Sequence, residues 1–158
     1  MKMIRLFVLL AVVFSVGQTV AQSTVTTAPM RFNIVKEAVS PMLEIVPSSV
    51  TFVDSNHNGV IDANEVCYLR FLVKNSGKGI GEGCRTLVEA TGDTDGIVIK
   101  EAFLPTISKG QEIEVRVPIE ANGQTKTGEI ALKIKVRDPN GFETKDVQYR
   151  IATRKLNF

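Results

Sequence analysis

The sequence predicts an all-β fold of the sandwich class, and three observations lead to this prediction. Apolar and polar residues alternate with a period of two along several segments, and these segments are short. Gly, Pro, Asn and Asp separate them at intervals of roughly ten residues, which is typical of a β-sandwich. We therefore expect an immunoglobulin-like (Ig-like) β-sandwich of seven or eight strands, and a small closed barrel is the main alternative.

Three segments alternate most clearly, at residues 66–74, 111–120 and 129–137. Shorter strands are expected at 42–46, 49–53, 84–91, 96–100 and 146–153. The first two of these read as one broken strand, because Pro47 between them lacks the N–H that a sheet ladder needs. Each long segment carries one apolar face, which should point into the core: Cys67, Leu69, Phe71 and Val73; Ile113, Val115, Val117 and Ile119; Ile130, Leu132, Ile134 and Val136.

The N-terminus has the pattern of a signal peptide. Lys2 and Arg5 precede an apolar run at residues 6–14, and small residues at 19–21 offer a cleavage site after Ala21. The apolar run is shorter than the ~20 residues that a membrane-spanning helix needs, although an uncleaved membrane anchor is the alternative. We expect a secreted or periplasmic protein with no membrane span after processing.

The mature chain should consist of a flexible leader and one domain. Residues 22–40 are rich in Ser, Thr, Val and Ala without a clear period, and they could end in an edge strand at 31–35. Residues 41–158 form the predicted sandwich domain. Removal of residues 1–21 leaves 17 basic and 17 acidic side chains, so no electrostatic footprint for nucleic acid remains. A protein or a cell-surface component is the expected partner.

The two cysteines, Cys67 and Cys84, have two interpretations. In an exported protein they could form a disulfide, which would stabilise the fold by roughly 3 kcal/mol. Alternatively, both stay free and behave as small buried apolar residues.

The segment 54–65 matches the twelve-residue calcium loop at every ligand position. Gly59 stands at position six, where the chain must reverse sharply, and the apolar Ile61 at position eight should anchor the loop to the core. The expected ligands for Ca²⁺ supply only oxygen atoms, the backbone carbonyl of Val60 among them: Asp54, Asn56, Asn58, Val60, Asp62 and Glu65.

The residues on either side of this loop alternate like strands, so an EF-hand with two flanking helices is not expected. The alternative is an Asx-rich turn without a metal, because Asn58-Gly59 is by itself a strong turn signal. His57 occupies position four, which does not face the ion, and we expect it to be an exposed loop residue.

Residues 41–153 resemble the Ig-like modules of secreted Bacteroidetes proteins, which are akin to cell-adhesion-related bacterial domains and to those found beside caspase-like domains. The resemblance rests on residues 52–59, 62–65, 71–79 and 140–142. It departs at Cys84, where such modules usually carry a small residue such as Ala. The resemblance implies a non-catalytic accessory module.

The expected function is therefore a secreted binding or structural module with a calcium-stabilised loop, and not an enzyme. One alternative is a partner or inhibitor of a secreted protease. Another is a hydrolase that uses paired carboxylates such as Asp93 and Asp95, although these read more simply as part of a polar turn.

Overall fold

The structure, a computed structural model, describes residues 39–156, and within them nine strands form two β-sheets. A turn of 3₁₀ helix at Pro47–Ser49 separates the first two strands. The strands are β1 (Leu43–Ile45), β2 (Thr51–Val53), β3 (Val60–Asp62), β4 (Val66–Asn75), β5 (Arg85–Gly92), β6 (Ile97–Ile99), β7 (Glu112–Ala121), β8 (Gly128–Arg137) and β9 (Val147–Arg154).

The two sheets make the predicted Ig-like β-sandwich. The first sheet has the order β1–β4–β7–β6, with β2 also paired to β4, and the second has the order β3–β9–β8–β5. All pairs between these strands are antiparallel except β3 with β9, which is parallel. The structure has nine strands, one more than the predicted maximum of eight. The additional strand is β3, which lies inside the segment that we expected to be a loop throughout.

The core lies between the two sheets, and the predicted alternation decides which residues enter it. The apolar face of β4 is at most 2% exposed, and that of β8 at most 1%. On β7, Val115, Val117 and Ile119 are buried, whereas Ile113 is partly exposed near the strand's beginning. The period-two pattern works here because one face of each sheet packs on the other sheet while its opposite face meets water.

Pro47 breaks the first strand as predicted, and both halves still pair with β4. Ile45 lies opposite Val73, and Thr51 lies opposite Arg70. At the break, the N–H of Leu72 donates to the hydroxyl of Ser49 at 2.8 Å, which replaces the bond that a continuous strand would supply. The 3₁₀ turn therefore leaves no gap in the hydrogen bonding of β4.

At the far end of β4, the buried side chain of Asn75 holds three chain segments together. Its amide oxygen accepts the N–H groups of Met42 at 3.1 Å and of Gly77 at 3.0 Å. Its amide nitrogen donates to the carbonyls of Gly79 at 2.8 Å and of Ile107 at 3.0 Å. These bonds satisfy both donors and the acceptor oxygen of a side chain with no solvent exposure, as a buried amide requires.

The structure corrects the predicted disulfide, because Cys67 and Cys84 are both free. Cys67 lies near the beginning of β4, whereas Cys84 packs beside Gly81, which bridges to Ile107 near Asn75 at the strand's other end. At ~3.3 Å per strand residue, Cys67 and Asn75 are roughly 25 Å apart, whereas bonded cysteines have Cα atoms within ~7 Å. Both side chains are buried apolar residues of the core, which was the alternative interpretation.

The predicted signal peptide at 1–21 and the edge strand at 31–35 lie outside the described residues, as does nearly all of the leader at 22–40. Among residues 39–156, no helix is long and apolar enough to cross a membrane.

Candidate metal-binding loop

The segment 54–65 connects the two sheets of the sandwich. It leaves β2 in the first sheet, contributes β3 to the edge of the second sheet, and returns to the first sheet at β4. Two backbone hydrogen bonds fix it on either side: the N–H of Ala63 donates to the carbonyl of Arg154 at 3.0 Å, and the N–H of Ala121 donates to the carbonyl of Glu65 at 2.9 Å. Any change in this loop therefore acts on both sheets at once.

The backbone of the loop has the conformation that the sequence pattern requires. Gly59 has a φ of +76°, in the left-handed region that glycine adopts without steric cost, so the chain reverses at position six as expected. Ile61 at position eight is fully buried and packs in the core, which confirms its role as the anchor. His57 is exposed, as predicted.

Three carboxylates of the loop are buried within it: Asp54, Asp62 and Glu65 are only 6%, 5% and 7% exposed. Buried carboxylates are costly unless a cation or several hydrogen bonds compensate them. Different hydrogen-bond donors hold the three side chains. A bound metal ion would have to take the place of some of these donors.

Asp54 and Glu65 accept hydrogen bonds from the loop itself. The Oδ2 atom of Asp54 accepts the N–H groups of Asn58 at 2.8 Å and of Gly59 at 2.9 Å. The Oε1 atom of Glu65 accepts the N–H of Ser55 at 3.1 Å and its hydroxyl at 2.6 Å, while Oε2 accepts the N–H of Asp62 at 3.1 Å. Through these bonds the loop folds around the side chains of its first and last residues.

Asp62 is held mainly by an arginine from the last strand. Arg154 donates through Nε to Oδ1 and through Nη2 to Oδ2, each at 2.6 Å, in a bidentate pair. The amide nitrogens of Asn56 and Asn58 also donate to Oδ2, both at 2.9 Å. The hydrogen bonds from Arg154 are the largest cause that lowers the pKa of Asp62 to about 2, since burial alone would raise it.

Arg154 could not be identified as part of this site from the sequence. It lies 92 residues from Asp62 along the chain, and the parallel pairing of β3 with β9 places the two opposite each other. The alternation at 146–153 predicted that a strand was present, but alternation carries no information about which strand it pairs with. No signal within the loop points to Arg154.

The loop residues fit Ca²⁺ by their donor chemistry. The six predicted positions supply three carboxylates, two amides and one backbone carbonyl, and Ca²⁺ binds six to eight oxygen ligands of these kinds. In residues 39–156, however, no three carboxylate, imidazole or thiol side chains converge closely enough to hold a metal ion. The three carboxylates therefore lie on one loop without converging on a single point, and their partners are hydrogen-bond donors of the protein.

The other carboxylates considered from the sequence lie in the turn between β5 and β6. Asp95 forms an ion pair with Lys126 at 2.5 Å, and the carboxylate of Asp93 lies against the backbone of Gly128. Both side chains thus make the contacts of a polar turn.

No family profile and no curated protein sequence matches the chain. Among solved structures, the chain is similar to a FixG-related protein from Vibrio parahaemolyticus, with 11% identity over 68% of this chain and 95% of that chain and a TM-score of 0.45. It is also similar to a CARDB domain from Pyrococcus furiosus in complex with di-metal ions, with 12% identity over 73% of this chain and 96% of that chain and a TM-score of 0.47. Likenesses this distant carry no argument about the site, which rests on the residues of this chain.

Proposed function

We propose that this chain is an exported, non-catalytic binding or structural module whose loop at 54–65 binds Ca²⁺ and thereby clamps the two sheets together. The observation that carries the proposal is the burial of three carboxylates, Asp54, Asp62 and Glu65, in a twelve-residue segment that crosses from one sheet to the other and back. Arg154 is their only ion-pair partner among the described residues, so it cannot by itself balance the charge of all three carboxylates. A divalent cation would compensate this negative charge more completely.

The loop pattern supports calcium in preference to magnesium. A flexible set of six oxygen donors suits the long and variable bonds of Ca²⁺, whereas Mg²⁺ needs a tighter octahedron and releases its water reluctantly. Exposure of the protein to millimolar calcium would follow from export, which the signal-peptide pattern at residues 1–21 supports. The partner of such a module would be a protein or a cell-surface component.

Two features support a role without catalysis. His57 is the only histidine of the chain, and it lies exposed at position four of the loop. The carboxylate of Asp95, which a hydrolytic mechanism would need, pairs with Lys126 at 2.5 Å. No observation favours the protease-inhibitor alternative over a general binding module.

Thermal melts in EDTA, Ca²⁺ or Mg²⁺ test the proposal. A ligand that binds only the folded protein stabilises it by about 2.7 kcal/mol at a hundredfold excess over Kd. For a domain of this size we expect Ca²⁺ to raise the melting temperature by on the order of 10 °C. Mg²⁺ should raise it much less.

Four variants show whether the shift belongs to the loop. Glu65→Gln and Asp54→Asn each remove one ligand charge, and each should lose most of the difference between EDTA and Ca²⁺. His57→Ala, inside the loop, and Glu82→Gln, on the surface outside it, should keep the difference. Because each protein is compared with itself, a change in stability without calcium does not affect the result. A wild-type melting temperature that is the same in all three solutions would mean that the segment is only an Asn-Gly turn.

A further inference from the structure

Three groups contact the same oxygen atom of Asp62, Oδ2. The Nη2 atom of Arg154 lies 2.6 Å from Oδ2, and the amide nitrogens of Asn56 and Asn58 each lie 2.9 Å from the same atom. The second oxygen, Oδ1, is occupied by the Nε of Arg154 at 2.6 Å. A carboxylate oxygen has about two lone-pair directions, so Oδ2 is already fully engaged.

The two amides face Asp62 with the atoms that cannot bind a cation. Their oxygens are turned away, and they accept the N–H of Asn58 at 3.1 Å and the N–H of Val60 at 2.8 Å. Rotation of both amides would bring two oxygens toward Oδ2 in place of two N–H groups. A cation at that point would meet three oxygens, and the guanidinium of Arg154 would have to leave at least Oδ2.

We infer that Arg154 is a built-in competitor of the cation, and that it sets the calcium affinity of the loop. This inference rests on the proposed calcium site. Arg154 balances the charge of Asp62 when calcium is absent, and calcium binds only by displacing it. The competition weakens calcium binding relative to the same loop without the arginine, and by linkage calcium loosens the contact of Arg154 with the loop to the same degree.

The position of Arg154 extends the effect beyond the loop. It is the last residue of β9, and its side chain is 49% exposed, so it can swing into solvent without disturbing the core. The chain continues from there to Phe158. Calcium binding at one edge of the second sheet thus releases a positive charge at the point where the chain leaves that sheet.

Arg150 provides a matched control for substitution of Arg154. Both arginines lie on β9 and pair with a carboxylate, but the partner of Arg150 is Glu129, in an exposed pair at 2.9 Å outside the loop. Arg154→Gln and Arg150→Gln each remove one positive charge from the same strand. A general change in the attraction of the protein for cations would affect both variants equally.

Isothermal titration of the wild type and the two variants with CaCl₂, up to about 10 mM to cover the weak sites of extracellular modules, makes the test. We expect Arg154→Gln to bind calcium about tenfold more tightly than the wild type, within the 5–150-fold range of typical coupling. Arg150→Gln should stay within about twofold of the wild type, because exposed pairs contribute little. In a wild type labelled with ¹⁵N, the Nε–H resonance of Arg154 should move on addition of calcium, and that of Arg150 should not.

If Arg154→Gln fails to fold, Arg154→Lys replaces it, because lysine keeps the charge but cannot form the bidentate pair, and its affinity should lie above that of the wild type. Calcium binding that is equal in the wild type and the Arg154 variant, or equally improved in the Arg150 variant, overturns the inference and leaves the calcium site standing. Absence of calcium binding in the wild type and in both Arg154 variants overturns the site and the inference together. Binding by an Arg154 variant alone would support the inference in its strongest form.

Discussion

At the scale of single residues, burial changes the chemistry of both thiols. Cys67 is 2% exposed, and its burial, with the nearby carboxylates of Glu65 and Asp54, raises its pKa to about 12. Cys84 is fully buried, and burial is also the main cause that raises its pKa. A thiol must lose its proton to act as a nucleophile, so both side chains should be inert in the folded protein.

This burial predicts the outcome of alkylation. The folded protein should take up almost no iodoacetamide at pH 8, and the protein unfolded in guanidinium without reductant should take up two labels, as intact-mass measurement would show. Because Cys67 and Cys84 are not bonded to each other, both thiols are free to react once unfolding exposes them. An unfolded protein that stays unlabelled until a reductant is added would contradict this, because the two cysteines would then be paired.

The reversal of the loop at Gly59 and the burial of Ile61 could be predicted from the sequence because the spacing behind both is local. Asp54 to Glu65 occupy one continuous segment, and a glycine with positive φ sits where the pattern needs one. Two features could not be predicted: the contact of Arg154 with the loop, and the placement of the two cysteines at separate points of the core. Both depend on how distant strands pair. Residue types alone left the disulfide and the free thiols as equal possibilities.

At the scale of elements, the glycines after β4 let two segments of backbone cross closely. A Cβ atom on Gly79 would lie 1.6 Å from the carbonyl oxygen of Val39, and one on Gly77 would lie 2.2 Å from the nitrogen of Met42. The N–H of Gly79 donates to the carbonyl of Ser40 at 3.2 Å across this crossing. The loop after β4 thus holds the beginning of the domain against the first sheet.

Gly79→Ala should therefore destabilise the domain, by about 1–3 kcal/mol, the usual cost of forcing an extra carbon into packed structure. The matched control is Gly123→Ala, whose added Cβ would meet only the side chain of Asn64 at 3.6 Å, an ordinary contact. That variant should stay within about 0.5 kcal/mol of the wild type. Urea unfolding at 25 °C measures both, and equal stabilities for the two variants would contradict the close crossing.

The long strands β4, β7 and β8 were predictable because each alternates over its whole length and one of its faces is buried. The broken strand β1–β2 was predictable from Pro47. The three-residue strand β3 was not, since it is too short to show a period and exists only through parallel pairing with β9. Local patterns thus predicted most strands, whereas β3 depends on long-range pairing that a local pattern does not contain.

At the scale of the whole molecule, the loop at 54–65 is a connection between sheets at the end of β4 opposite Asn75. Other segments also connect the sheets, such as 93–96 between β5 and β6 and 122–127 between β7 and β8, but the loop at 54–65 is the connection that carries three buried carboxylates. A cation bound by Asp54, Asp62 and Glu65 would join positions one, nine and twelve of a segment that belongs to both sheets. We therefore predict that calcium acts on the loop's attachments to both sheets together.

Hydrogen exchange at two backbone amides shows whether calcium acts on both sheets. The N–H of Ala63 bonds the loop to β9 in the second sheet, and the N–H of Ala121 bonds β7 in the first sheet to the loop. Calcium should slow exchange at both amides in the wild type and at neither in Glu65→Gln. The control is the N–H of Gly81, which bonds to Ile107 near Asn75; calcium should slow its exchange much less. Exchange at Ala63 and Ala121 that is the same with and without calcium would show that calcium does not hold the loop to the two sheets.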